Sequence, residues 1–247
     1  MSVIKLVLAY DGTDFHGWAR QPGARTIQGE IEEALGRMLP EPPRLSVAGR
    51  TDAGVHAEAQ VASFVAPDEV DPRRVQRMLN ALFAPEVVVL RSSRAPDGFD
   101  ARHSATGREY RYRIDTGPVP SPFTARYVWH HPGLLGLSRM RAAARLLEGE
   151  HDFASFCRVT ETPASSVRTL SRLAVSASSG RVEIRAVANA FLHQMVRSLA
   201  GTLVAVGEGK IDPASMPEIL AARRRAAAGP VAPPHGLTLV RVVYGRS

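Results

Sequence analysis

The segment VAGRTDAGVHAEAQVASF, residues 47–64, contains the residue types best suited to chemistry. Two apolar stretches of high β-propensity flank a turn that carries Arg50, Asp52 and His56 among its glycines. An aspartate beside a glycine most often bonds its own backbone, which is a structural role. Here an arginine and a threonine directly precede the carboxylate, and a carboxylate held at a cleft can also act on a substrate. This combination favours a functional role for Asp52.

Other familiar kinds of site do not fit the spacing of the candidate residues. The turn lacks the Lys-Ser/Thr pair of a nucleotide-binding Walker A loop, and a strand rather than a helix is predicted to follow it. The eight histidines are scattered, with no two of them one helical turn apart. Asp11, Asp14 and His16 lie close in sequence, but EF-hand spacing is absent and a capped turn is the favoured interpretation. The sequence therefore calls for no metal and no organic cofactor.

Composition and charge narrow the class of protein. The 247 residues suffice for one large domain or two small ones, and a single cysteine excludes an internal disulfide and a multi-cysteine metal site. The stretch MSVIKLVLAY is too short and too alternating for a signal peptide or a membrane span, so we expect a cytoplasmic protein without membrane association. The net charge of +7 comes mostly from arginine, which suits bidentate contacts to phosphate.

The predicted elements follow the same order twice. The first half reads β-α-β-β-α-β, with strands at 3–10, 44–48, 59–65 and 86–91 and with helices that begin after Thr26 and Asp71. The second half has strands at 107–114, 168–176, 181–188 and 237–244, helices at 137–148 and 190–206, and an extra Arg-rich helix near 214–227. We therefore predict an α+β fold of two ferredoxin-like halves, residues 1–100 and 101–247. Together they form one composite, mainly antiparallel sheet flanked by helices, with a central active-site cleft.

The central turn, AGRTDAGVHA (48–57), strongly resembles the catalytic motif of the tRNA pseudouridine synthase A family. Further resemblances follow in order over nearly the whole chain: YDGTDFHGWARQPGARTIQGEIEEAL (10–35), LNALFAPEVVV (79–89), FDARHSATGREYRYRI (99–114), LLEGEHDFASFC (146–157), ANAFLHQMVRSLAGTLVAVGEGK (188–210) and APPHGLTLVRVVY (232–244). The resemblance implies an isomerase that converts uridine to pseudouridine at positions 38 to 40 of tRNA, in the anticodon arm. It implies no cofactor.

The resemblance also assigns roles to individual residues. Asp52 matches the essential catalytic aspartate, which acts as a nucleophile or, in an alternative mechanism, as a base at the sugar. Tyr110 matches a tyrosine that packs against the uracil, and Arg50 an arginine that helps to extrude the base, as a stacked uridine requires. Arg197 matches an arginine that pairs with the aspartate. Leu237 matches an apolar residue that lines the uracil pocket, although any core leucine would look the same.

Basic residues elsewhere suit a large RNA substrate, although each cluster alone is typical of a solvated helix face. They fall into three groups: Arg73, Arg74 and Arg77; Arg139, Arg141 and Arg145; and Arg223, Arg224 and Arg225. Family members are homodimers whose two subunits contact one tRNA, so a homodimer is expected. The chain has Ala19 where the family often has glutamine after the tryptophan. This difference affects an expected RNA contact near Ala19 but not the expected chemistry. Residues 158–170 are expected to form a loop without a role.

Two other functions fit parts of the pattern. A non-catalytic RNA-binding protein of duplicated ferredoxin-like units would carry exposed aromatic pairs on central strands, of which Tyr110 and Tyr112 give a partial version. A metal-dependent nucleic-acid hydrolase or transferase would need a carboxylate cluster, for which Asp11, Asp14 and Asp52 are the available source. Both explain less of the sequence than the synthase does.

Overall fold

The computed structural model describes residues 1–158 and 165–245, and the chain forms two compact units. Unit 1 comprises residues 1–106 and the chain from residue 238 onward, whereas unit 2 comprises residues 107–237. The helices and strands in chain order are β1 (Ser2–Tyr10), α1 (Ile27–Gly36), β2 (Ser46–Val47), β3 (His56–Ala66), α2 (Pro72–Phe83), β4 (Val87–Arg94), β5 (Ala105–Asp115), β6 (Trp129–His130), α3 (Leu137–Leu147), β7 (Gly149–Asp152), β8 (Val167–Ser178), β9 (Arg181–Ala188), α4 (Met195–Gly207), α5 (Met216–Ala222) and β10 (Leu237–Tyr244). The predicted boundary at residue 100 stays a prediction.

Four strands run through unit 1 in the order β4-β1-β3-β10. β1 pairs antiparallel with β3 and β4, β10 pairs parallel with β3, and the short β2 pairs antiparallel with β3. Ile4, Leu6 and Leu8 are fully buried while the residues between them are not, as expected for a strand with one covered face. This face holds the core of the unit.

The two helices of unit 1 begin where the sequence predicts. The Thr26 side chain accepts a hydrogen bond from the Gly29 N–H at the start of α1. Asp71 caps α2 in the same way, with Pro72 in the first turn. Both predicted helix starts are confirmed.

Side chains of α2 cover the outer edge of β4. Asn80 accepts a hydrogen bond from the Val89 N–H at 2.7 Å and donates one to the Val89 carbonyl at 3.1 Å. Gln76 donates to the carbonyls of Val89 and Leu90, at 2.9 and 3.0 Å. An open strand edge can pair with another chain, so these bonds protect β4 from such pairing.

In unit 2 the strands run in the order β5-β9-β8-β7, and each neighbouring pair is antiparallel. Tyr112 and Ile114 of β5 and Ile184 of β9 are fully buried, and α3 packs on β8 and α4. The chain turns from β8 to β9 at Ser179 and Gly180, whose φ angles of 50° and 74° are those of a type I′ hairpin turn. The predicted hairpin is confirmed, and so is the α+β class with a mostly antiparallel sheet flanked by helices.

Several predicted boundaries are wrong for local reasons. The helix predicted at 190–206 begins at Met195, because Gln194 adopts a left-handed conformation with φ 60°. The Arg-rich helix predicted at 214–227 is the shorter α5, which ends at Ala222 because Arg223 after it is left-handed with φ 48°. The strands β6 and β7 are absent from the prediction because they have only two and four residues. Residues 159–164 of the predicted loop at 158–170 lie outside the described residues. Within 1–158 and 165–245 no helix is long and apolar enough to cross a membrane.

Candidate active site

The candidate catalytic loop, residues 49–55, connects β2 to β3 in unit 1. Asp52 is half-buried there and Arg50 is exposed. The Val55 N–H donates to the Asp52 carbonyl at 3.1 Å, and Gly54 has φ 76°. A type II turn requires a positive φ at its third position, which explains a glycine at 54. Asp52 therefore opens a tight turn at the start of β3.

A second segment, residues 11–18, packs directly behind this loop. The Trp18 N–H donates to the Thr51 carbonyl at 3.0 Å. A Cβ atom on Gly17 would lie 2.8 Å from the Thr51 carbonyl oxygen, and one on Gly12 would lie 2.0 Å from the Val55 carbonyl oxygen. Side chains at these two positions would displace the loop, so both glycines are required by close backbone contact.

Buried polar side chains contact the loop from β1 and β3. Tyr10 Oη and Thr51 Oγ1 are 2.8 Å apart, and both side chains are buried. Gln60 Nε2 donates to the Gly49 carbonyl at 2.7 Å and to Tyr10 Oη at 3.2 Å. The pairing of β1 with β3 shifts in register between Leu8 and Tyr10, which is a bulge at the end of the sheet that carries the loop.

The buried His56 joins the two segments at the other end of the loop. Its Nδ1 accepts a hydrogen bond from the Gly12 N–H at 3.1 Å and lies 3.1 Å from Asp11 Oδ1. Thr13 donates to the same Asp11 oxygen through its N–H and its hydroxyl, at 3.0 and 2.6 Å. This confirms the capped turn predicted for Asp11. In the part of the chain that the structure describes, no three His, Cys, Asp or Glu side chains are grouped as a metal ion would need.

Unit 2 carries the other three candidate residues. Tyr110 on β5 is buried, and its ring meets that of Phe191 edge-on with centroids 5.1 Å apart. Arg197 on α4 is half-buried, and its Nε donates to the Ala232 carbonyl at 2.8 Å. The Ala232 N–H donates in return to the Arg197 carbonyl at 3.1 Å. Arg197 thus fixes the segment that leads to the buried Leu237 at the start of β10.

Tyr112 holds the same segment from the sheet. Its hydroxyl donates to the Pro233 carbonyl at 2.7 Å, and its ring lies against Gly236, where a Cβ atom would be 2.7 Å away. Burial raises the pKa of Tyr112 well above its usual range, although the positive charge of Arg197 acts in the opposite direction. Because this tyrosine is fully buried, it cannot serve as the exposed stacking platform that the RNA-binding alternative requires.

A family model described as tRNA pseudouridine synthase matches residues 6–102 and 143–245. This chain belongs to the tRNA pseudouridine synthase family. It is similar to proteins named tRNA pseudouridine synthase A over nearly their full length. That of Geobacillus kaustophilus is 44% identical over 98% of this chain and 94% of its own. Those of Frankia casuarinae and Geobacter sulfurreducens are 48% and 42% identical, over 98% and 99% of this chain and 89% and 100% of theirs.

Membership of the synthase family confirms two predictions, the family itself and the enzyme class, an isomerase. Among solved structures, a chain of the "Crystal Structure of a Cbf5-Nop10-Gar1 Complex" aligns with 96% of this chain at 14% identity and a TM-score of 0.42. This chain spans 48% of that chain, and a TM-score this low carries no weight for the fold or the function.

The predicted arginine clusters differ in the contacts that their side chains make. Arg73, Arg74 and Arg77 are exposed along α2. The unit 2 clusters are exposed as well, except for the half-buried Arg225. Four of their arginines also bond backbone carbonyls or a carboxylate: Arg139 to Val206 and Ile211, Arg141 to Val175, Arg225 to Ala228 and Gly229, and Arg223 to Asp152. The predicted α-helix does not include Arg223, Arg224 and Arg225, because α5 ends before them, and Arg225 begins a short 3₁₀ helix. Each of the three clusters therefore keeps exposed arginines.

Sequence reasoning missed the residues that hold the loop. Tyr10 and Gln60 look like ordinary strand residues in the sequence, and the signal that could have found them is the polarity of Gln60 within an apolar strand. His56 belongs to the motif but had no predicted role, and Gly12 and Gly17 read as turn glycines. Their positions behind the loop become visible only from the long-range contacts of β1 and residues 11–18.

Proposed function

We propose that this chain isomerises uridine to pseudouridine at positions 38 to 40 in the anticodon arm of tRNA, with Asp52 as the catalytic residue. The observation that carries the proposal is the match to tRNA pseudouridine synthases over residues 6–102 and 143–245. The matched residues include the candidate catalytic loop, which backbone contacts hold in place. A catalytic carboxylate gains most when its geometry is fixed before the substrate arrives. A loop held in this way suits that role.

The reaction needs no external reagent. The N1–C1′ glycosidic bond breaks, the uracil turns, and a C5–C1′ bond forms, after which the proton at C5 is lost and N1 carries one. Atoms and electrons balance within the substrate, so no metal or organic cofactor is part of the proposal. Asp52 acts either as a nucleophile or as a base at the sugar, and a carboxylate is suited to both roles at neutral pH.

Four further residues are proposed to bind the substrate. Arg50, exposed two positions before Asp52, would help to extrude the uridine from its stem. Tyr110 would pack against the uracil, Leu237 would line the uracil pocket, and Arg197 would supply a positive charge to the site. Because the proposed substrate is tRNA, we also propose a cytoplasmic location.

We propose a homodimer as the working form. Exposed apolar side chains gather in the segment that follows β5: Val119 is 73% exposed, Phe123 is 90% exposed and Leu134 is fully exposed. A contiguous patch of large exposed apolar side chains is typical of a surface that another protein covers, and we propose that these three residues form such a patch. A second copy of the chain is the proposed partner.

Tritium release from [5-³H]uridine-labelled tRNA tests the catalytic proposal, with EDTA present and with wild type compared with Asp52→Asn. Asparagine keeps the size of the side chain and the turn, so it removes only the charge. We expect release by wild type and a loss of at least about a thousandfold in the variant, since it loses the acting group. Asp97→Asn is the matched control, because Asp97 is an exposed turn aspartate of the same unit.

The outcomes separate the candidate functions. Retained tRNA binding by Asp52→Asn, without release, supports a metal-free synthase that depends on this carboxylate. Tight binding by both proteins with no release from any tRNA would favour the RNA-binding alternative and leave Asp52 as a turn residue. Release that EDTA abolishes would indicate a metal-dependent reaction instead.

A further inference from the structure

We propose that Tyr10, Thr51 and Gln60 form a positioning network that holds the backbone on both sides of Arg50 and so sets the position of Asp52. The proposal rests on the catalytic role proposed for Asp52. None of the three side chains is assigned to contact the substrate. They would act on the reaction only through the loop.

The hydrogen bonds of Gln60 account for its whole amide group. Its two N–H groups donate to the Gly49 carbonyl at 2.7 Å and to Tyr10 Oη at 3.2 Å. Its carbonyl oxygen accepts from the Val61 N–H at 3.1 Å. Gln60 is completely buried, and a buried amide is stable only when its donors and acceptor are satisfied in this way.

The phenol of Tyr10 extends the network to the other side of Arg50. Tyr10 is 4% exposed and Thr51 is 6% exposed, and their oxygens are 2.8 Å apart. Burial raises the pKa of Tyr10 to about 12, so the hydroxyl keeps its proton at neutral pH and can donate it. The Thr51 carbonyl is held as well, by the Trp18 N–H at 3.0 Å.

These contacts fix the backbone on both sides of the loop's two functional residues. The carbonyl before Arg50 and both the side chain and the carbonyl of Thr51, directly before Asp52, have buried partners. After Asp52 the turn closes through the Val55 N–H. Phenylalanine, valine and leucine would fill similar volumes, but leucine at position 60 would leave the Gly49 carbonyl without its partner. A satisfied polar network instead specifies a single loop geometry.

Two conservative variants test the network. Tyr10→Phe removes one oxygen and keeps the ring, and Thr51→Val removes the other and keeps the branched shape. We expect each to lower kcat for tritium release by about tenfold or more and to change KM by less than about threefold, because a shifted catalytic group affects the reaction more than binding. The kcat of the double variant should be no lower than that of the more impaired single variant, since the two oxygens act through one shared hydrogen bond.

Two further variants separate positioning from stability. Tyr244→Phe removes a hydroxyl that donates to the Ala101 carbonyl at 2.8 Å, in the same unit but outside the loop. This variant should lose about as much stability as Tyr10→Phe and keep the wild-type kcat. Thr51→Ser keeps the hydroxyl and should keep the kcat that Thr51→Val loses. The comparison of Thr51→Ser with Thr51→Val tests the positioning role even if Tyr10→Phe does not fold.

Wild-type kcat in Tyr10→Phe and Thr51→Val, at temperatures where both are folded, would overturn the network and leave the proposed function standing. Losses that multiply in the double variant would also overturn it, because the two oxygens would then act separately. A wild-type enzyme that releases no tritium would instead overturn the proposed function, and the positioning role with it.

Discussion

Replacing Gly17 by alanine should damage the reaction as well as the fold. The new Cβ atom would lie 2.8 Å from the Thr51 carbonyl oxygen, 3.1 Å from the Ala53 nitrogen and 3.2 Å from the Asp52 carbonyl carbon. All three atoms belong to the backbone of the candidate catalytic loop, so no side chain can rotate away. Ordinary contact begins near 3.4 Å, so the loop must move by about 0.6 Å around Asp52.

Alanine at position 17 has two separate costs in stability, and alanine at position 23 has only the first of them. Gly17 has φ 87° and Gly23 has φ 70°, so alanine at either position incurs about 1–2 kcal/mol of left-handed strain. A Cβ atom on Gly23 would meet nothing within 4 Å, whereas the one on Gly17 adds an overpacking cost of about 1–3 kcal/mol. A displacement of about 1 Å at a reacting group can lower a rate about a hundredfold, so we expect a kcat loss of about tenfold or more for Gly17→Ala alone.

The assay pairs urea unfolding with the tritium-release kcat for Gly17→Ala, Gly23→Ala and wild type. Gly23→Ala should lose stability and keep kcat, whereas Gly17→Ala should lose both. A wild-type kcat in both variants would refute the reasoning, because the loop would then tolerate displacement. An equal loss in both variants would show that left-handed strain, rather than contact with the loop, limits the reaction.

Two further predictions concern the buried phenol and the assembly. Because the pKa of Tyr10 is raised to about 12 in the folded protein and is about 10 in the unfolded chain, its contribution to stability is complete below pH 10 and is lost as the pH rises toward 12. The free energy of unfolding of Tyr10→Phe should therefore fall less steeply than that of wild type between pH 10 and 11. In urea unfolding the two slopes should differ by up to about 1.4 kcal/mol per pH unit, and parallel curves would contradict this. Light scattering should give wild type about twice the chain mass of 26.7 kDa, and Phe123→Glu should lower it toward one chain. A wild-type monomer would refute the homodimer, and a dimeric Phe123→Glu would place the interface elsewhere.

Local signals explain which elements the sequence predicts well. Thr26 and the Asp71-Pro72 pair mark helix starts through their own side chains and ring, and these helices begin where predicted. The turn at Ser179-Gly180 is likewise set by its own residues. The start of α4 is different, because a left-handed glutamine at 194 is uncommon and is imposed by its surroundings.

The candidate site divides in the same way. The residue that would act, Asp52, stands out locally through its glycines and its arginine. The residues that hold it do not, since Tyr10 is 41 positions from Thr51 and Gln60 is 11 positions from Gly49. Each meets its partner in the loop only through strand pairing and a bulge. The arginines show a further limit. Arg139 and Arg141 are exposed, as a solvated helix face predicts, but the sequence does not show that their side chains also bond carbonyls of neighbouring elements.

The structure of the loop also bears on the simplest alternative, in which Asp52 only shapes a turn. The turn is closed by a hydrogen bond between two backbone groups and by the positive φ of Gly54. Both would persist with asparagine or serine at position 52, residues that turns accept as readily as aspartate. The turn therefore does not itself require a carboxylate. A charged group kept on a loop with this many fixed contacts is better explained by what it does to a substrate, which is why removal of its charge alone is the decisive change.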